Sequence, residues 1–282
     1  VLIRTKACGI CMWEINVFQG KIPGEGVMGH EGAGIVAAVG EAVKNVKVGD
    51  KVTALGGSAF AEFFKTDYRN VAKVPDDVKD LSYWISEPVA CVVNGIRGSE
   101  IRIGDNVCLI GCGYMGLLLI QAMPRTNINR LVALDIQDER LKLAKKFGAE
   151  FVLNPEEADT IREVRDILGG EADVVIEASG APGTLHLATD LLRPGGKLVI
   201  FGMHIMDEKV PTAAWHMKGL KILNTTPNFS LDFNKDFYDA VNLLKKGVIN
   251  QEPLITHRFS YKEPEKAFKI ASEKPPDYIK GV

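Results

Sequence analysis

The sequence predicts an α/β protein in which a doubly wound parallel-sheet domain is joined to a smaller β-rich one. Three observations predict this. The stretch from Asn106 to Asp135 reads as strand, glycine turn, helix, strand, acid. The stretch from Gly29 to Val52 is a series of glycines and valines in short β-branched runs. The 282 residues leave room for about two domains.

The first observation is the most informative. Val107-Cys108-Leu109-Ile110 is an apolar run long enough for a buried strand. It leads into Gly111-Cys112-Gly113-Tyr114-Met115-Gly116. Leu117 to Met123 continues as a helix, expected to stop near Pro124. A second apolar run, Leu131 to Leu134, ends on Asp135, 24 residues past Gly111. This is the pattern of a dinucleotide-binding unit. Gly111 allows the tight turn, Gly113 lets the backbone approach a pyrophosphate, and Gly116 lets helix and strand pack closely. Free N–H groups and the positive dipole at the helix N-terminus suit phosphates. Asp135 suits the adenosine ribose hydroxyls and would repel a 2′-phosphate, which favours NAD over NADP.

Composition bounds the function classes. Apolar content of 46% and charged content of 25% are ordinary for a globular chain. A net charge of −2 argues against a nucleic-acid partner. No apolar run reaches the length of a membrane span, and no signal peptide is visible. The chain begins at Val1 inside a strand-like stretch, so the true N-terminus is expected to lie upstream. Five unevenly spaced cysteines do not form a disulfide framework, and a reducing cytoplasm is the simplest setting.

In chain order, Val1 to Ala7 alternates as a strand and is followed by Cys8-Gly9-Ile10-Cys11. Alone, that CxxC could be half a zinc knuckle, a redox pair or neither. With no second CxxC, a four-cysteine zinc site cannot be built from it. Gly29-His30-Glu31-Gly32-Ala33-Gly34 follows, then Val39-Gly40, Val43, Gly49-Asp50 and Val52.

These three motifs together resemble the zinc-containing medium-chain dehydrogenase/reductase family, the alcohol dehydrogenase-like proteins. The resemblance covers nearly the whole chain. It implies a GroES-like β-rich catalytic domain over 1–94, a Rossmann domain over 95–227, and a segment 228–282 returning to the catalytic domain. It also implies that Cys11 and His30 are ligands of one catalytic zinc and that Glu31 is a carboxylate able to enter or leave the metal shell. A third ligand is expected ahead of the cofactor domain. Ser86-Glu87-Pro88 matches the acid of the sorbitol and threonine dehydrogenase branch, which makes it Glu87. Singly, Cys11 reads as a small core residue, His30 as a hydrogen-bonded core histidine and Glu87 as a surface acid. Together, at the family's spacing, they read as a metal site.

Two departures stand out. Trp13 occupies the position where the family usually starts its proton relay with Ser or Thr, and an indole N–H only donates. Glu14 beside it keeps an acid that could orient His30. The lobe that carries a structural zinc in many relatives is missing, since Val52 to Phe60 runs directly into Ala61-Glu62-Phe63-Phe64; no structural zinc is expected.

The remaining elements follow the same resemblance. Asp67 to Pro75 reads as a closing strand. Leu81 to Gly98 reads as helical, with Cys91 as a buried small residue. Asp138 to Phe147 reads as a helix stopped by Gly148, and Arg140 matches a family position at the adenosine ribose. Ala172 to Glu177 and Leu198 to Ile200 read as strands, with a helix over Thr184 to Leu192 between them. Phe201, Gly202 and Met203 would flank the nicotinamide by resemblance. Leu220 to Leu223 reads as the last strand, at a subunit contact in relatives. His186, His204 and His216 lack metal partners at ligand spacing and read as surface or local hydrogen-bonding residues. Asp236 to Lys246 reads as an amphipathic helix stopped by Gly247.

The expected function is a zinc-dependent, NAD-linked dehydrogenase acting on a small secondary alcohol, polyol or amino alcohol, in a homodimer or homotetramer. Trp13 motivates an alternative: an enzyme that retains NAD and uses transient oxidation for elimination or epimerisation. A non-catalytic NAD-binding protein is the third reading, and the intact Cys11, His30, Glu31 and Glu87 set argues against it.

Overall fold

A computed structural model of the chain describes residues 1–123, 127–157 and 159–282. It forms two compact units, one from Val1–Val93 with Asp232–Val282, the other from Asn94–Leu231. No helix among the described residues is long and apolar enough to cross a membrane.

The first unit holds strand β1 (Leu2–Cys8), the short helix α1 (Met12–Phe18) and strands β2 (Glu31–Ala38), β3 (Lys51–Leu55), β4 (Phe63–Lys65) and β5 (Val71–Lys73). The strands form one antiparallel sheet in the order β4-β1-β2-β3-β5. Ile3, Val36, Val52, Ala54, Phe64 and Val71 pack its core. The register opposes Cys8 to Gly32 and Glu31 to Leu55, so the end of β1 lies against the start of β2.

Leu81 to Gly98 is not one helix. A 3₁₀ turn over Leu81–Trp84 gives way to helix α2 (Glu87–Gly98). Pro88 explains the break. It has no N–H to bond back into a preceding turn, so it is tolerated only in the first turn of a new helix. Glu87 therefore stands at the head of α2.

The second unit is the doubly wound sheet. Its strands are β6 (Asn106–Ile110), β7 (Arg130–Leu134), β8 (Phe151–Leu153), β9 (Ala172–Glu177), β10 (Leu192–Ile200) and β11 (Lys221–Asn224). Helices α3 (Tyr114–Ala122), α4 (Asp138–Phe147), α5 (Thr160–Leu168), α6 (Thr184–Leu191) and α7 (Thr212–Lys218) intervene. All pairings are parallel, in the order β11-β10-β9-β6-β7-β8. The order reverses at β6, so the crevice outside its carboxyl end is where such sheets bind ligands. Val107, Cys108 and Leu109 are fully buried, as a strand covered on both faces requires.

Boundaries differ modestly from the sequence reading. Leu192 leaves the helix and opens β10, which bulges before pairing Lys197 with Val174. α4 matches its expected span, and Gly148 closes it at φ 118°. The stop expected at Pro124 lies outside the described residues.

The chain then returns to the first unit through α8 (Phe233–Lys245), β12 (Ile255–His257), α9 (Pro264–Glu273) and β13 (Lys280–Gly281). α8 begins three residues ahead of the expected Asp236 because Asp232 accepts the Lys235 N–H at 2.9 Å and caps it.

Candidate metal centre and cofactor site

The metal-ligand candidates converge where β1 ends and β2 begins. Past Cys8 the chain turns through Gly9 and Ile10, and Gly9 N–H donates to the Glu31 carbonyl at 3.1 Å. A side chain at Gly9 would collide with the Glu31 carboxylate, its Cβ 1.8 Å from Oε2, so only glycine lets the chain pass. Cys11 then caps α1. As a result Cys11, His30 and Glu31 present one ligand atom each, all within 4.8 Å of one another. Tetrahedral zinc ligands stand roughly 3–4 Å apart, so small side-chain shifts would close this sulfur, nitrogen and oxygen set on an ion.

Glu14 ties the cluster together. It is fully buried. Its Oε1 lies 2.6 Å from His30 Nδ1, and its Oε2 accepts the Cys11 N–H at 3.2 Å. A carboxylate on Nδ1 leaves Nε2 as the nitrogen available to a metal, which is the usual way a second residue orients a ligating imidazole.

Glu87 stands beside this group rather than within it. Its Oε2 is 3.9 Å from His30 Nε2, and its Oε1 accepts from the Cys91 thiol at 3.2 Å. Cys91 is thus one helical turn along α2 from Glu87 and bonded to it, more than the filler residue expected. Burial pushes the Glu87 carboxyl up to about 7, with His30 opposing and Glu31 adding. Burial alone would lower the His30 pKa. Its hydrogen bonds with Cys11 and Glu14 and the charge of Glu87 instead push it up to about 12. An acid-rich pocket that holds a proton on this imidazole so firmly is also one that favours a cation at Nε2.

One residue of the site escaped the sequence reading. Lys280, in the short strand β13, is 4% exposed. Its Nζ donates to the Ile10 carbonyl at 2.9 Å and to Glu31 Oε1 at 2.7 Å, and lies 2.6 Å from Glu31 Oε2. The strand is delivered by Ile10 N–H donating to the Gly281 carbonyl at 3.0 Å. The available signal was a lone lysine in an otherwise apolar closing run, Tyr278 to Val282. Trp13 is 46% exposed in the first turn of α1.

The cofactor candidates lie at the carboxyl edge of the parallel sheet. Gly111 has φ 98°, and an added Cβ would lie 2.8 Å from Ser179 N. At Gly116 it would lie 1.9 Å from the Gly111 carbonyl oxygen, so strand and helix touch there. At Gly113 it would meet no protein atom within 4 Å. Open space therefore lies beside Gly113. Asp135 is 8% exposed. Its Oδ2 accepts the Cys112 N–H at 2.7 Å and its Oδ1 the Gln137 N–H at 2.9 Å, each oxygen keeping a lone pair. Arg140 Nη1 lies 4.0 Å from Asp135 Oδ2. Tyr114 is buried, Met115 partly exposed, and Phe201, Gly202 and Met203 follow β10.

Two segments of the chain match two family models. Residues 1–76 match the alcohol dehydrogenase GroES-like domain, and residues 115–246 match the zinc-binding dehydrogenase. A probable D-xylulose reductase A of Aspergillus clavatus is 32% identical, over 95% of this chain and 85% of its own length. The chain belongs to the zinc-containing medium-chain dehydrogenase/reductase family. An L-threonine 3-dehydrogenase of Bacillus velezensis is 29% identical, over 96% of this chain and 87% of its own. Among solved structures, an alcohol dehydrogenase from Escherichia coli CFT073 complexed with NADH superposes with a TM-score of 0.86 at 26% identity, covering 100% of this chain and 90% of that one. This chain is therefore an oxidoreductase of the zinc-dependent, NAD-linked alcohol dehydrogenase type, with a GroES-like unit and a Rossmann unit.

Proposed function

We propose that the enzyme transfers a hydride between NAD and a secondary alcohol, polyol or amino alcohol, with one catalytic zinc held by Cys11, His30 and Glu31 and with Glu87 as the neighbouring carboxylate. The convergence of Cys11, His30 and Glu31, with Glu14 behind them, carries this reading. Bound zinc supplies a Lewis acid to the substrate oxygen, and NAD supplies the hydride acceptor.

The chain's own residues do the rest. Glu14 fixes the His30 ring. Lys280 balances the Glu31 charge. Trp13 shapes the substrate side and relays no proton, because its N–H cannot accept one. Glu87, whose Oε2 stands 3.9 Å from His30 Nε2, is the carboxylate placed to hold or release a proton beside the metal. Residues 95–227 hold NAD through Gly111, Gly113, Tyr114, Met115, Gly116, Asp135 and Arg140, with Phe201 to Met203 at the nicotinamide. Residues 1–94 and 228–282 carry the metal. The protein works in the cytoplasm as a homodimer or homotetramer.

Elemental mass spectrometry of the purified protein tests the metal assignment, with about one zinc per chain expected. A folded protein that takes up no zinc would overturn it. An alcohol panel read by NADH absorbance tests the reaction, and net NADH release separates a dehydrogenase from an enzyme that retains its cofactor. Asp135→Ala is expected to weaken NAD binding by roughly tenfold or more, since it removes a charged acceptor at the ribose. Full NAD affinity in that variant, measured calorimetrically, would move the ribose site elsewhere.

A further inference from the structure

A buried acid and a histidine are joined at the carboxyl edge of the parallel sheet, outside the residues assigned above. Glu177 ends β9 and is fully buried. Its Oε1 accepts from the Ser179 N–H at 2.8 Å, the Gly180 N–H at 3.0 Å, the Thr184 hydroxyl at 3.1 Å and the Ser179 hydroxyl. Its Oε2 lies 2.8 Å from His204 Nε2. The other ring nitrogen, Nδ1, lies 2.9 Å from Glu208 Oε1, and Glu208 Oε2 accepts the Gly183 N–H at 3.2 Å, just ahead of α6. One imidazole thus joins the loop after β10 to the end of β9 and the start of α6.

The glycines show how closely these loops are stacked. An added Cβ at Gly180 would lie 2.6 Å from the Met203 carbonyl oxygen. At Gly202 it would lie 2.5 Å from both Glu177 Oε2 and Gly180 N. Gly111 meets Ser179 in the same way. The phosphate turn, the β9 loop and the Met203 loop therefore rest on one another, and the Glu177–His204 pair is their joint. A cluster of acids around a histidine is a poor way to gain stability. Its place here, on the edge where such sheets take ligands, gives it a different use.

We infer that His204 is a positioning residue for the dinucleotide: braced by Glu177 and Glu208, it holds Phe201–Met203 in register with the Gly111–Gly116 turn. This rests on the NAD reading above. The two are separable by calorimetric NADH titration of the unsubstituted chain beside His204→Ala, His204→Gln and Glu208→Gln.

The unsubstituted chain binds NADH. His204→Ala binds it roughly tenfold or more weakly, having lost its hydrogen bond to Glu177 and its contact with Glu208. KM for NAD rises while KM for the alcohol stays put. His204→Gln recovers part of the loss, because its amide still donates to Glu177. Hydrogen exchange at the Gly180 and Gly202 amides quickens in the alanine variant. If those amides exchange faster while NADH affinity holds in all three variants, the cluster only supports the fold and the inference is overturned. Glu208→Gln and His204→Gln keep the test available should the alanine variant fold poorly. No NADH binding by the unsubstituted chain would instead overturn the cofactor reading, and the inference with it.

Discussion

Replacing His30 by alanine is expected to abolish stoichiometric zinc and to lower kcat/KM by roughly 10³-fold or more, the scale of several kcal/mol of lost Lewis-acid stabilisation. Cys11→Ala should do the same. The informative companion is Glu14→Gln. Glu14 touches His30 Nδ1 and the Cys11 N–H and offers no atom to the three-residue cluster itself. Its loss leaves all proposed ligands in place but frees the His30 ring to choose its tautomer. The expected result is metal affinity weakened by about 10- to 100-fold, with activity restored by excess zinc. Competition with a chelator of known affinity measures the first, and assays across added zinc measure the second. A Glu14→Gln protein with unchanged zinc affinity would show that the ring is oriented by something else. A His30→Ala protein that kept its zinc would place the metal elsewhere.

The parts of this molecule that were legible in the sequence are those whose physics is local. The Gly111–Gly116 turn is set largely within six residues: Gly111 takes φ 98°, and a Cβ at Gly116 would strike the Gly111 carbonyl oxygen. The helix Asp138–Phe147 carries its acids in the first turn, its lysines in the last and its left-handed glycine beyond, all visible in order. His30 and Glu14 were reachable through family spacing, because β1 and β2 pair directly and bring the ends of a short segment together. What stayed hidden depends on long-range placement. Lys280 meets Glu31 across 249 residues, and no periodicity in the last strand points to it. His204 read as a local hydrogen-bonding residue. Its partner Glu177 lies 27 residues back, and only parallel pairing of β9 with β10 puts their ends side by side. The single helix read over Leu81 to Gly98 failed for another reason: apolar periodicity outweighed the stop that Pro88 imposes on the turn before it.

Lys280→Met is expected to destabilise the metal-free protein by roughly 3–5 kcal/mol, the penalty for leaving a buried carboxylate without its counter-charge. Glu31 is 2% exposed, and Lys280 is the ion-pair partner that both its oxygens have among the described residues. Methionine keeps the length and apolar stem of lysine, so little of the loss comes from packing. The double variant Lys280→Met with Glu31→Gln removes both charges and should recover most of the stability, as coupled neighbours do. Urea midpoints of the metal-free proteins read both results. Zinc then separates structure from site. If Glu31 faces the ion, saturating zinc supplies the missing positive charge and narrows the gap between Lys280→Met and the parent chain, beyond what mass action gives both proteins alike. In the double variant that extra gain should vanish, because no carboxylate is left to answer the metal. An equal zinc-induced shift in all three proteins would mean that Glu31 belongs to Lys280 alone, leaving Glu87 as the carboxylate that completes the site.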